Sequence, residues 1–151
     1  MLRITLHKNN TRYMPPVTPK YRSVMLIDDN EIDNLINQKM LESASVAHRI
    51  LTHTGAKAAI ESLKNLEKLG SPGSPLLPEL IFLDIDMPLM DGFQFLEEFE
   101  KLSEGVRESC KIVMLTSSMN PQDMSKAKKS KYVSKYINKP LSSDALSKLE
   151  A

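Results

Sequence analysis

Four short apolar runs in this chain end alike, each passing abruptly into polar or charged residues. Leu80-Ile81-Phe82-Leu83 runs into Asp84-Ile85-Asp86-Met87-Pro88-Leu89-Met90-Asp91-Gly92, and Leu26-Ile27 runs into Asp28-Asp29-Asn30. Val113-Met114-Leu115 ends in Thr116-Ser117-Ser118, and Tyr136-Ile137 in Asn138-Lys139-Pro140. Runs of this length, rich in β-branched and aromatic residues, read as buried strands. Pro88 cannot donate to a sheet ladder, and Asp91 with Gly92 stands where a helix would begin. Asp84 is therefore expected at the mouth of a strand-to-helix loop. In open α/β sheets that is where ligands bind. A single aspartate closing a strand is more often a cap or turn residue, so the weight lies in the repetition.

The chain between these runs alternates strand and helix. Tyr21 to Ile27 reads as a first strand, followed by a helix opened by Asn30, Glu31 and Asp33, with Ile32, Leu35, Ile36 and Met40 at helical spacing. Val46 to Thr52 gives a second strand. Ala56, Ala59, Ile60, Leu63 and Leu66 then form one face of a second helix. Gly70-Ser71-Pro72-Gly73-Ser74-Pro75 breaks the pattern as a loop before the central strand. A third helix carries Phe93, Leu96 and Phe99, reaching toward Leu102, and Lys111 to Leu115 is a fourth strand. Pro121 suits the first turn of a fourth helix that turns Met124 and Ala127 inward. Lys135 to Ile137 is a fifth strand, and Ser142 to Ala151 a last helix. Five strand-helix repeats argue a doubly wound, five-stranded parallel sheet covered by five helices. Right-handed crossovers would bring every strand end to one edge.

The composition bounds the rest. With 151 residues, 41% of them apolar, one domain with one adequate core is expected. A formal charge of +1 gives no global attraction to nucleic acid or anionic membranes. Residues 1–20 carry Arg3, His7, Lys8, Arg12 and Lys20 and no acid, and are expected to be a flexible basic extension ahead of a domain over 21–151. Cys110 is the one cysteine, so no internal disulfide forms. No apolar stretch approaches the roughly 20 residues of a membrane span, and the first 20 residues lack the core of a secretory signal. A cytoplasmic location is the resulting expectation.

Asp28, Asp29 and Asp84 brought together would repel one another. The cluster predicts either raised pKa values or a bound cation. Hard oxygen donors without His or Cys favour Mg²⁺. Lys139 adds a positive charge and Thr116 a hydroxyl, which makes a pocket suited to a group with three anionic oxygens, best met by phosphoryl. Asp84, on the central run, is the nucleophile of choice, since phosphoryl transfer to a carboxylate needs mainly positioning and charge neutralisation.

In combination, Asp28-Asp29, the stretch from Asp84 to Gly92, Thr116-Ser117 and Lys139-Pro140 resemble the receiver domain of two-component response regulators. That family has the flavodoxin-like fold of the single-domain chemotaxis regulators, and the likeness spans about residues 21–149. It implies that a histidine kinase or phosphotransfer protein donates a phosphoryl group to Asp84. It implies Mg²⁺ held by the side chains of Asp29 and Asp84 and the main-chain carbonyl of Asp86, with Asp28 acting through water. Thr116 would close on the phosphoryl oxygens, and Tyr136 would turn inward behind it as a switch toward an unknown downstream protein. Lys139-Pro140 resembles the family's cis peptide, and Asp86 and Ser118 stand where the lifetime of the phosphorylated state is tuned. On this reading the protein is a phosphoacceptor that promotes its own phosphorylation and dephosphorylation rather than an enzyme. A monomer or a phosphorylation-dependent dimer, with no fused DNA-binding domain, is expected. Leu141 stands where the family often has Phe, and the last helix is short.

Two other readings compete. Haloacid-dehalogenase-type phosphatases also use an Asp followed two residues on by a second, as in Asp84-Ile85-Asp86, but place their metal-binding acids after the lysine. Here the pair Asp28-Asp29 precedes the nucleophile. A scaffold module that is not phosphorylated is suggested by Lys126, Lys128, Lys129 and Lys131, either a solvated helix face or a patch for an acidic partner or nucleic acid.

Overall fold

A computed structural model describes residues 18–70 and 76–149. Most of the basic extension, residues 71–75 of the loop and positions 150–151 lie outside the described residues. Five strands pair in parallel in the order β2-β1-β3-β4-β5: β1 (Tyr21–Ile27), β2 (Ala47–His53), β3 (Leu80–Leu83), β4 (Lys111–Thr116) and β5 (Val133–Asn138). The helices are α1 (Glu31–Ser43), α2 (Ala56–Leu69), α3 (Gly92–Glu100), α4 (Glu104–Ser109), α5 (Pro121–Lys129) and α6 (Ser143–Ser147). This is the flavodoxin-like order, in which the chain leaves β1 toward β2 and then returns to build β3 on its other side.

The alternation of the strands divides the core in two. Met25, Ile27, Ile81, Leu83, Ile112 and Met114 face one side, where Ala59, Ile60 and Leu63 of α2, Phe95 and Phe99 of α3 and Ala127 of α5 cover them. Val24, Leu26, Leu80, Phe82, Val113 and Leu115 face the other, beneath Leu41 of α1 and Leu146 of α6. Successive side chains of a strand point to opposite faces, so strands buried on both must be apolar throughout. That is why the central runs read as unbroken hydrophobic stretches. Leu141, in place of the expected aromatic, is buried in the second cluster.

Apart from the last helix, which ends at Ser147 rather than continuing to Ala151, and one residue of α5, the structure departs from the sequence expectation in two places. The described residues hold six helices rather than five, because Ser103 caps a further short one by accepting the Val106 N–H at 3.3 Å. Val106 and Cys110 anchor it in the core, and burial pushes the Cys110 thiol up to about 12. The second departure is α1. Ile32, Leu35 and Ile36, whose spacing suggested an inward face, are at least half exposed, while Asn34, Asn37 and Leu41 are buried. The Asn34 amide donates to the carbonyls of Asp28 (2.9 Å), just past β1, and His53 (3.2 Å), the last residue of β2. It is the donor for the Asp28 carbonyl and a second donor for that of His53, which also accepts the Asp28 N–H at 3.1 Å, and an aliphatic side chain could make neither bond. In α5, Ala127 points inward as expected, whereas Met124 is more than a third exposed.

Candidate functional site

Sheet register assembles the site. Ile27 lies opposite Leu83, so the next residue of each strand, Asp28 and Asp84, emerge side by side between β1 and β3. The Asp84 N–H donates to the Ile27 carbonyl at 3.0 Å. β4 runs on to Thr116, opposite Asn138, and the Lys139 N–H donates to the Thr116 carbonyl at 2.9 Å. The Lys139–Pro140 bond is cis. β5 stands two strands, about 10 Å, from β3, a span that a long side chain is suited to cross.

The loop after Asp84 closes tightly. A Cβ at Gly92 would lie 2.5 Å from the Asp84 carbonyl oxygen and 2.9 Å from the Ile85 Cα, so only glycine fits. The Gly92 N–H instead donates to the Ile85 carbonyl at 2.9 Å. Asp91 accepts the Gln94 N–H at 2.8 Å while the Gln94 side chain accepts the Asp91 N–H at 2.9 Å, a reciprocal cap that starts α3.

Carboxylate oxygens of Asp28, Asp29 and Asp84 converge within 4.8 Å of one another, with Asp28 and Asp84 buried and Asp29 exposed. The Lys139 ammonium lies 2.5 Å from Asp28, 3.0 Å from Asp33 and 3.5 Å from Asp84. Burial, reinforced by the charge of Asp28, raises the Asp84 carboxyl from 3.8 to about 6. Lys139, the Thr116 hydroxyl and the Ile85 N–H, which donates to Asp84 Oδ1 at 2.9 Å, act in the opposite direction without prevailing. For Lys139, burial disfavours the charge. Its hydrogen bonds to Asp28 and Asp33 and the negative charge of Asp84 outweigh burial and hold the pKa above the ordinary lysine value. Three oxygen donors without His or Cys form a set suited to a hard divalent cation.

Of the side chains expected at the site, Asp28, Asp29, Asp84, Thr116 and Lys139 are in the cluster or touch it, whereas those of Asp86, Ser118 and Tyr136 are not. The side chain of Asp86 is exposed in the loop two residues past Asp84. Tyr136 is half-buried and donates from its hydroxyl to the Ser118 carbonyl at 3.3 Å. Thr116 is fully buried and its Oγ1 accepts the Ser118 N–H at 3.1 Å. Ser118 in turn donates to Asp123 at 2.5 Å, tying the loop after β4 to the first turn of α5. Asp33 was absent from the sequence reading of the site, where it counted only as a helix opener. Its sign is positional: it lies in the first turn of the helix that follows Asp28-Asp29.

Residues 24–149 match the family model for the response regulator receiver domain. The chain belongs to that family. It is 30% identical over 123 residues to the probable methanogenesis regulatory protein FilR2 of Methanothrix harundinacea, covering 82% of this chain and 75% of that one. A two-component response regulator structure from Cytophaga hutchinsonii superposes with a TM-score of 0.76 at 32% identity, covering 85% of this chain and 92% of its own. The Mn²⁺-bound form of response regulator Rcp1 does so with a TM-score of 0.63 at 26% identity, covering 83% and 86%. The protein is accordingly a receiver domain of two-component signalling.

In this receiver domain large apolar side chains are exposed on α1 and in the loops that follow β3 and β4. Ile32, Leu35 and Ile36 of α1 are exposed, as are Leu89 in the loop after β3 and Met119 in the loop after β4. Leu89 has φ of 69° and a fully exposed side chain. Both features are unfavourable for leucine, and such strain concentrates at functional sites. The four lysines of the basic run are exposed, and Lys126 lies 4.4 Å from the centre of the Phe93 ring. No helix among the described residues is long and apolar enough to cross a membrane.

Proposed function

We propose that Asp84 accepts a phosphoryl group from the phosphohistidine of a histidine kinase or phosphotransfer protein, and that the aspartyl phosphate alters partner binding. The observation that carries this reading is one buried carboxylate whose oxygens converge with those of two further acids and lie within reach of the Lys139 ammonium. Asp84 Oδ1 is engaged by the Ile85 N–H, and Oδ2 faces Lys139, so Oδ2 is the oxygen placed to attack phosphorus. The P–O bond forms as the P–N bond to the donor imidazole breaks, and the imidazole leaves with its electron pair.

Mg²⁺ is the cation we assign to the cluster, held by Asp29 and Asp84 with the Asp86 main-chain carbonyl, and by Asp28 through water. Bound there, it would neutralise the carboxylates and the incoming phosphoryl oxygens. Lys139 donates to those oxygens, and the Thr116 hydroxyl supplies a further donor. In this reading the chain is a phosphoacceptor that hastens its own phosphorylation and dephosphorylation and turns over no separate substrate. Thr116 and Tyr136 serve as the switch: both bond to Ser118, so movement of Thr116 toward the phosphoryl group is felt by Tyr136 on β5.

Incubation with Mg²⁺ and acetyl phosphate tests the chemistry. One phosphoryl per chain, mapped by mass spectrometry to the peptide containing Asp84, is expected; labelling elsewhere, or continuous turnover of the donor without an adduct, overturns the assignment. The apolar rim on α1 gives a docking face for the protein donor. Ile36→Glu is expected to slow transfer from a phosphorylated histidine phosphotransfer domain by about tenfold, the effect of losing an interface anchor. Labelling by acetyl phosphate, which needs no docking, should be unchanged. Equal slowing with both donors would show that the substitution damages the site itself.

A further inference from the structure

We infer that Asp33 is a positioning residue that holds the Lys139 ammonium at rest, so that a phosphoryl group on Asp84 must draw it away. The inference rests on Asp84 being the phosphoacceptor. An ammonium has three N–H groups to distribute. In this structure its two shortest contacts are to acids other than the acceptor, Asp28 at 2.5 Å and Asp33 at 3.0 Å, while Asp84 is at 3.5 Å. Asp33 is not one of the three acids whose oxygens converge. Its influence on the acceptor runs through Lys139.

Asp33 is well placed for this role. It sits in the first turn of α1, where its N–H donates to the side chain of the cap residue Asn30 at 3.1 Å, fixing the backbone that presents it. Its side chain is 35% exposed against 13% for Lys139, so water can replace the ammonium as its partner when Lys139 leaves. Asp28, buried beside Asp84, has no such recourse and lies close enough to share the ammonium in either arrangement. Phosphorylation adds three anionic oxygens at Asp84, and the contact most readily surrendered to meet them is the one to Asp33. A partly exposed ion pair of this kind is worth little in itself, and breaking it changes an equilibrium by about three- to fivefold. That suits a residue that tunes a switch without disabling it.

Titration with beryllofluoride, a non-covalent mimic of the phosphoryl group, in the presence of Mg²⁺ and followed by ¹⁹F NMR tests the inference. Asp33→Asn is expected to tighten binding about three- to fivefold. The same substitution in a Lys139→Met background is expected to change nothing. Unchanged or weakened binding in the single variant overturns the inference. Tightening that persists without Lys139 does so as well, because it would show simple repulsion of the anion by Asp33. If Lys139→Met binds too weakly to titrate, the side-chain ammonium resonance of Lys139 decides. It should move on Asp33→Asn in the free protein and coincide with wild type in the beryllofluoride complex; a resonance unmoved in the free protein overturns the inference. Failure of the wild type to bind beryllofluoride in a manner abolished by Asp84→Asn would instead remove the phosphoacceptor reading, a separate and recognisable result.

Discussion

Asp84→Asn is expected to abolish phosphoryl labelling while making the metal-free protein more stable at pH 7. The first effect follows from removing the attacking oxygen. The second follows from burial. The Asp84 carboxyl is raised from 3.8 to about 6, so the folded protein binds this proton more tightly than the unfolded chain does. A carboxyl raised on folding detracts from stability wherever it is ionised in the native state. The penalty is fully present above about pH 6 and fades as pH falls from there toward 4, where both states hold the proton. A shift of this size corresponds to about 2–3 kcal/mol at pH 7. Asparagine keeps the shape of the protonated side chain and lacks the charge, so the variant should recover that amount. Urea unfolding at pH 7 and pH 4 measures it: a large gain at the higher pH and almost none at the lower. A gain that does not vary with pH, or a loss at pH 7, would show that desolvation of Asp84 is not what stresses this edge. Saturating Mg²⁺ should stabilise the wild type more than Asp84→Asn, because the variant lacks one of the carboxylates that would hold the cation.

The contrast between what the sequence made legible and what it hid has a physical basis. Asp28, Asp84, Thr116 and Lys139 could be placed at one edge because each closes or follows an apolar run, and parallel strands with right-handed crossovers leave only one edge for them. Register did the rest, with Ile27 opposite Leu83 and Thr116 opposite Asn138. The inward face of α1 is not the one its hydrophobic periodicity marks, because periodicity assumes that a helix turns its apolar side to the sheet. Here the buried face carries Asn34, whose amide bridges the carbonyls of Asp28 and His53 at the ends of two strands. The aliphatic residues at Ile32, Leu35 and Ile36 are left exposed. The short helix Glu104–Ser109 was hidden by its length: six residues carry less than two turns of period, and its start depends on the single cap at Ser103. Asp33 was hidden for a different reason. Nothing in a helix-opening acid reveals that a lysine more than a hundred positions away will reach it. Contacts of that kind belong to tertiary structure alone.

Lys139→Met tests the opposite side of the electrostatic arrangement. Methionine keeps most of the aliphatic stem but removes the ammonium that lies within 3.5 Å of Asp28, Asp33 and Asp84. Two of those carboxylates are buried. Removing one partner of a buried pair is far more damaging than the pair is stabilising, because the remaining charge keeps its desolvation without compensation. A loss of about 3 kcal/mol at pH 7 is expected in the metal-free protein. The deficit should shrink on acidification, since Asp84 without its counter-ion is held even more strongly in the protonated form and ceases to repel Asp28 once neutral. Mg²⁺ should restore more stability to Lys139→Met than it gives the wild type, because cation and ammonium neutralise the same acids and the variant has only the cation left. Phosphoryl recognition should not be restored with it. The anion then lacks a charge-assisted hydrogen bond worth about 2 kcal/mol, so beryllofluoride affinity in saturating Mg²⁺ should fall about 30-fold. Thermal unfolding with and without Mg²⁺, set beside that titration, separates the two roles. Recovery of both stability and anion affinity would mean that Lys139 contributes charge and nothing more. Recovery of stability alone would mean that its position over Asp84 is what the phosphoryl group requires.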